Sequence, residues 1–257
     1  MTYRIVFLGD IVGKPGRTAV LEELPSLLNQ YNPEFVIVNG ENSAAGVGIT
    51  PDIADELFKA GVDAITLGNH AFNKREINDY LDKNKPIVRP YNMSKGVPGR
   101  GICHVQKARV DLAVVNLCGR VFLESYADPF AAVDEILSST GTKHVFIDFH
   151  AEATSEKVAF GHYVDGRVSA VVGTHTHIQT ADEQILRGGT AYITDVGMCG
   201  PQPSVIGMDR DIVLRKFTTG LPTRFEVANE PGVICGVVID VSYDTGRAVA
   251  ISRLRRP

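Results

Sequence analysis

Five short apolar runs in this 257-residue sequence each lead directly into residues that can bind a metal ion or move a proton. Residues 5–8 run into Gly9-Asp10, 35–38 into Asn39-Gly40-Glu41-Asn42, and 64–67 into Gly68-Asn69-His70. Residues 145–149 run into His150, and 170–172 into Gly173-Thr174-His175-Thr176-His177. Singly these are weak signals, because Gly-Asp, Asn-Gly and Gly-Asn are ordinary turn residues. His175 and His177 say more: two apart on extended backbone they point the same way, so both imidazoles can face one centre. Together Asp10, Glu41, Asn42, Asn69, His150, His175 and His177 make a mixed oxygen and nitrogen donor set. It is too large for one tetrahedral ion and suits two ions bridged by a carboxylate. Two cations about 3.5–4 Å apart lower the pKa of a shared water and neutralise a phosphodiester under in-line attack.

The elements that position these residues follow from the same runs. Rich in Val and Ile and bounded by Gly or polar residues, the five runs, with 112–117, 191–193 and 233–241, predict buried strands. Residues 17–31 put Val20, Leu21, Leu24, Leu27 and Leu28 on one helical face, and 51–60 begin with Thr50 as N-cap and Pro51 at the first helical position. Strand-helix alternation at the start predicts parallel strands with crossover helices. The later strands, closely spaced with fewer helices, predict antiparallel pairs. The fold class expected is α/β, a layered mixed β-sheet sandwich flanked by helices, as one domain over residues 1–257. The donors then collect at the C-terminal strand ends, where open α/β sheets form their sites. Irregular segments 89–101, 119–129 and 197–209 are candidates for the mouth of that site.

Composition narrows the partners. Hydrophobic residues at 44% and charged residues at 22% are those of a globular protein, which removes disordered, collagenous and disulfide-scaffold readings. A formal charge of -4 leaves no basic field for stable duplex nucleic acid binding, and a small anionic substrate would need a local cation. Cys103, Cys118, Cys199 and Cys235 form no CxxC pair, which fits a reducing, cytoplasmic setting. The N-terminal apolar run is too short for a secretion signal and no run approaches the roughly 20 residues of a membrane span. Exposed sheet edges leave homo-oligomer formation open.

At the donor motifs the sequence resembles the calcineurin-like metallophosphoesterases. The blocks Gly9-Asp-Ile-Val-Gly-Lys-Pro-Gly-Arg17, Asn39-Gly-Glu-Asn-Ser-Ala-Ala-Gly-Val-Gly48, Asp148-Phe-His-Ala-Glu-Ala-Thr-Ser-Glu-Lys157 and Thr194-Asp-Val-Gly-Met-Cys-Gly200 resemble the YmdB-like phosphodiesterase subgroup. The resemblance implies a four-layer α/β/β/α fold. It assigns Asp10, Glu41, Asn42 and His177 to one ion and Glu41, Asn69, His150 and His175 to the other, with Glu41 bridging. It points to iron, with manganese as the alternative, in agreement with carboxylate, amide and imidazole donors. It also implies hydrolysis of 2',3'-cyclic nucleotides to 3'-nucleotides, with weak 3',5'-cAMP turnover and RNA-processing or phosphomonoesterase activity as variants. The other class of function is a regulatory or scaffold protein that keeps the metal site and acts through RNA-processing or signalling partners. Three residues depart from the wider superfamily: Val12 where a His commonly stands, Glu41 where Asp is usual, and Ala71 where an acidic residue often orients the preceding imidazole.

His70 is the candidate general acid. Beside Asn69, it is more useful unligated, protonating the leaving ribose oxygen, since histidine changes charge near neutral pH; the bland alternative is a metal-binding or supporting imidazole. His104, His144 and His162 have no partner pattern and are expected to be structural or exposed. Gly13-Lys14-Pro15-Gly16-Arg17 lacks P-loop spacing, so a solvated turn is expected rather than a phosphate contact. Tyr91, Asn92, Phe122 and Tyr126 are available for base recognition.

Overall fold

Period-two alternation in the apolar runs decides which layer each side chain enters. The computed structural model describes residues 1–257. The chain opens with β1 (Thr2–Leu8), β2 (Asp10–Ile11), α1 (Gly13–Tyr31), β3 (Phe35–Asn39), α2 (Pro51–Ala60), β4 (Ala64–Thr66), α3 (Asn78–Leu81) and β5 (Ile87–Val88). It continues through β6 (Ile102–Lys107), β7 (Val110–Cys118), α4 (Pro129–Ser139), β8 (Val145–His150), α5 (Thr154–Tyr163) and β9 (Ala170–Thr174). Last come β10 (Gln184–Ile185), β11 (Ala191–Ile193), β12 (Met198–Pro201), α6 (Arg210–Thr219), β13 (Gly232–Ser242) and β14 (Ala248–Arg256).

Two sheets result. The first runs β2-β12-β13-β1-β3-β4-β5 with β14 on the far side of β13, and the second runs β10-β11-β9-β8-β7-β6. On β1, Tyr3, Ile5 and Phe7 enter the core between the sheets, while Val6 and Leu8 face the core under α1 and α2. On β8, Phe146 faces the inter-sheet core, whereas Val145, Ile147 and Phe149 pack against α4 and α5. Three cores of 24, 21 and 16 residues therefore separate four layers, the expected α/β/β/α sandwich.

Two expectations need correction. Strands β7, β8 and β9 are not antiparallel neighbours but run parallel, with register Cys118↔His150 and His150↔Thr174. Their crossovers are α4, which Asp128 caps and which buries Ala132, Val133 and Ile136, and α5, whose Phe160 stacks on Phe149 at 4.2 Å. Antiparallel pairing instead joins β13 to β1 and β14, and β6 to β7. Helix α1 begins at Gly13, not at residue 17. Pro15 sits in its first turn, where a missing N–H costs nothing. At Gly16 a Cβ would lie 2.1 Å from the Cys199 carbonyl, so glycine there lets the helix press against β12.

Within this frame Thr50 caps α2, accepting from the Ile53 amide, and the left-handed Gly61 closes it. The helix thus ends just before β4, whose C-terminal end leads into Gly68-Asn69-His70. Segments 89–101 and 119–128 are irregular as expected, while 197–209 contains β12.

Candidate metal centre

Both sheets deliver donors. Asp10 on β2 and the turns after β3 and β4, carrying Glu41, Asn42 and Asn69, come from the first sheet; in the second His150 ends β8, and His175 and His177 follow β9. The meeting point is His150 Nε2, which lies 2.9 Å from Asn69 Oδ1, 3.2 Å from Glu41 Oε1 and 3.0 Å from His175 Nδ1. Glu41, His150 and His175 bring ligand atoms within 4.8 Å of one another. Asp10 joins them, with Oδ1 3.8 Å from His150 Nδ1 and Oδ2 accepting the His175 amide at 3.2 Å. Asn42 and His177 take their hydrogen bonds from the flanking loops instead: Asn42 Nδ2 donates to the Gly46 carbonyl, and His177 Nδ1 to that of Ile206.

Whether metal ions fit is decided by what each donor has left over. All three histidines have one ring nitrogen held away from the set: His150 Nδ1 by Thr174 Oγ1 at 2.8 Å, His175 Nε2 by Glu152 at 3.1 Å and His177 Nδ1 by Ile206 at 2.9 Å. This is how metal-binding imidazoles are oriented. In addition Asp10 Oδ1 and Asn42 Oδ1 are buried with no hydrogen-bond partner. An acceptor stranded in this way costs about 1–3 kcal/mol unless something electropositive meets it. The residues present therefore fit a metal ion at Glu41, His150 and His175, with Asp10 beside them.

Gly68 makes room for the set. A Cβ there would stand 2.2 Å from Glu41 Oε2 and 2.5 Å from His150 Nε2. The histidine turn is held under strain, His175 at φ 97 and His177 at φ 65, a region non-glycine residues avoid. Asp195 pins it: its Oδ2 accepts both the amide and the hydroxyl of Thr176, and its Oδ1 accepts the Gly197 amide at 2.8 Å. Lys157, 1% exposed, neutralises Asp195 at 2.7 Å and donates to the Thr174 carbonyl.

The charges are strongly interdependent. Burial pushes Asp10 up, against the opposing charges of His177 and His150. Burial also raises Glu41, but His150 beside it and then His70 outweigh that and hold it down to about 2. Burial lowers His150, yet Glu41, Asp10 and Asp148 raise it to about 9, while burial and His150 push His175 down to about 3. A site that concentrates carboxylates this way draws cationic charge.

The remaining residues sort clearly. His70 is half-buried with its amide on Glu41 Oε2 at 3.1 Å, and its Nε2 lies 3.4 Å from Asn69 Nδ2; Ala71 is buried in the first core. Val12, in the usual histidine position, packs against Gly200 and Gly207. His104 pairs with Asp111 on the surface, His144 is buried against the Tyr3 hydroxyl, and His162 is exposed on α5. Arg17 donates to the Ser43 carbonyl, and Lys14 is exposed. Asn92 is committed to the backbone of Cys118 and Ala127, so it has no amide donor left for a base. Glu152, Thr174, Lys157 and Asp195 were not foreseen. The available signal was a lysine and a carboxylate at positions that the fold buries, at 157 and 195.

Comparison with known proteins agrees with this geometry. The chain is 53% identical over 253 residues to the 2',3'-cyclic-nucleotide 2'-phosphodiesterase of Bacillus subtilis, covering 98% of this chain and 96% of that one. It superimposes on a hypothetical protein from Thermus thermophilus with TM-score 0.93 at 41% identity, covering 98% of each chain. A Mycoplasma pneumoniae protein described as a novel phosphatase gives TM-score 0.95 at 35% identity, covering all of this chain and 94% of that one. The expected phosphodiesterase class is thus the class for which the Bacillus subtilis relative is named. Residues 6–254 match the YmdB-like protein family, and the chain belongs to it.

Proposed function

We propose that the chain is a dinuclear metal-dependent phosphodiesterase that opens 2',3'-cyclic nucleotides to 3'-nucleotides. The observation that carries this is the cluster of Glu41, His150 and His175, whose ligand atoms lie within 4.8 Å of one another, together with two buried acceptors left without a hydrogen-bond partner, Asp10 Oδ1 and, next to Glu41 in the chain, Asn42 Oδ1. Asp10, Glu41, Asn42 and His177 would hold one ion, Glu41, Asn69, His150 and His175 the other, and iron or manganese suits these donors. When bound, such a pair supplies an activated water and neutralises the phosphoryl oxygens. The ring-opened linkage is inferred from the Bacillus subtilis relative's name.

His70 does the proton work. Its backbone is fixed on Glu41 while its side chain stays half-buried beside the donor set, with no carboxylate tying down the ring. As water adds to phosphorus and releases one proton to solvent, the bond from phosphorus to the ribose 2'-oxygen breaks, that oxygen takes the proton His70 donates, and the neutral ring is reprotonated from solvent. Phosphate stays on the 3'-oxygen. The four cysteines are all free and buried, which supports a reducing, cytoplasmic setting; no helix is long and apolar enough to cross a membrane.

The test combines metal analysis of protein purified anaerobically with a panel of 2',3'-cyclic, 3',5'-cyclic, linear diester and monoester substrates. Two transition-metal ions per chain with preference for the 2',3'-cyclic ester are expected. A protein that binds no transition metal under anaerobic, metal-replete conditions, or one that cleaves only monoesters, would defeat the reading.

A further inference from the structure

The faces of four strands that line the inter-sheet core end in buried polar residues. On β3, Phe35 and Ile37 line that core and Asn39 continues their register; on β4, Thr66 follows Ala64. On β8, Asp148 follows Phe146, and on β9, Thr174 follows Ala170 and Val172. All four polar side chains are completely buried. They converge on one carboxylate. Asp148 Oδ2 accepts from Asn39 Nδ2 at 2.8 Å and from Thr66 Oγ1 at 2.5 Å, and Oδ1 accepts from Thr174 Oγ1 at 2.6 Å. Asn39 and Thr66 belong to the first sheet, Asp148 and Thr174 to the second, so one side chain bonds the sheets together just beneath the donor set.

Two links lead from this carboxylate to the ligands. The Thr174 hydroxyl, having given its only proton to Asp148, can only accept from His150 Nδ1, 2.8 Å away. The ring must then carry a proton on Nδ1 and turn Nε2 toward Glu41, Asn69 and His175. On the other side, Asn39 Oδ1 accepts the Glu41 amide at 3.1 Å, so the residue that bonds Asp148 also fixes the backbone of the bridging carboxylate.

We propose that Asp148 is a positioning residue of the metal centre: through Thr174 it sets the tautomer and direction of His150, and through Asn39 and Thr66 it sets the spacing between the sheets that supply Glu41 and His150. It does not touch substrate. The proposal rests on the reading of His150 as a ligand, and its first test is independent of metal.

Thr174→Val removes the hydroxyl at nearly constant volume, and Thr174→Ser keeps it. Ring ¹⁵N NMR of His150 in metal-free protein, taken above the pH at which the same spectra show the ring losing its second proton, reads the tautomer. Wild type and Thr174→Ser should show Nδ1–H, and Thr174→Val a mixture. Mn²⁺ calorimetry should then show one of two sites weakened 10- to 100-fold in Thr174→Val and unchanged in Thr174→Ser. Asp148→Asn should show the same weakening if it folds, and the threonine pair decides the matter if it does not. A Thr174→Val protein with the wild-type tautomer overturns the proposal, as does one that binds Mn²⁺ as tightly as wild type. If wild type itself binds no Mn²⁺, the metal reading fails, and the tautomer comparison alone then supports or overturns the relay.

Discussion

Alanine at Gly68 should abolish metal binding while leaving the fold intact. The backbone of Gly68 lies outside the left-handed region, so alanine adopts it without strain, and the substitution reports only on space. That space is taken: the new methyl would stand 2.2 Å from Glu41 Oε2 and 2.5 Å from His150 Nε2. Ordinary contact requires Glu41 to retreat by roughly 1 Å, whereas a metal site tolerates about 0.2 Å in its ligand distances. Because Glu41 is read as shared by both ions, both should be lost together. Stability should fall by about 1–3 kcal/mol, the usual cost of overpacking a buried site, because the His150 ring as well as the Glu41 carboxylate must move. Metal content by elemental analysis should fall from two ions toward none, kcat/KM should drop at least about 100-fold, and the metal-free protein should still melt cooperatively with Tm lowered by no more than about 12 °C. A Gly68→Ala protein that holds two ions and turns over within about threefold of wild type would refute the geometry on which the functional reading depends.

Three further outcomes follow. His70→Ala should lower kcat by about 10²–10⁴-fold with metal content unchanged; loss of metal together with activity would make His70 a ligand instead. His150 is raised to about 9, so at pH 7 it holds a proton that a metal ion must displace. Affinity should then rise about tenfold per pH unit toward pH 9, with one proton released per His150-bound ion in calorimetry across two buffers; no release at pH 7 would contradict this. Lys157→Met should destabilise the chain by about 3–5 kcal/mol by stranding Asp195, and Lys157→Met with Asp195→Asn should recover much of it in denaturant melts. Additive losses in the double variant would show that the two do not act as a pair.

The ligand candidates were legible because two independent patterns coincide at them. An apolar run announces a strand, and a polar donor at its end announces the edge where a site can form. That suffices for Glu41, His150 and His175, which the structure brings together, whereas the expectation of an extended His175–His177 segment fails, since both residues lie at positive φ and His177 turns Nδ1 to Ile206. Strand β14 was not legible, because Ala248–Arg256 is an edge strand whose exposed arginines break up the apolar run. Helix α5 was missed for a related reason: its polar composition hides the one face, Phe160 and Gly161, that meets the second sheet. The partner of His177 is a backbone carbonyl, which no sequence pattern can announce. Asp148 differs from these. A carboxylate set inside the run Val145-Phe146-Ile147-Asp148-Phe149 is already anomalous for a strand buried on both faces, and the anomaly was readable before any coordinates.

That anomaly also explains why the site needs two sheets. Donors on a single sheet edge sit at strand spacing, about 4.8 Å apart, and all approach from one side. Here Glu41 and Asn69 reach His150 from across the inter-sheet layer, at 3.2 Å and 2.9 Å, so the set is enclosed rather than merely aligned. Enclosure makes the donors sensitive to how far apart the sheets stand, and an apolar interface of Phe7, Phe146 and Val172 can slide without breaking any directional bond. Directional bonds reaching Asp148 from Asn39, Thr66 and Thr174 resist that motion where it would do most harm. The cost of burying a carboxylate is thereby offset locally by its hydrogen bonds, and the resulting rigidity is placed one residue layer below the ligands.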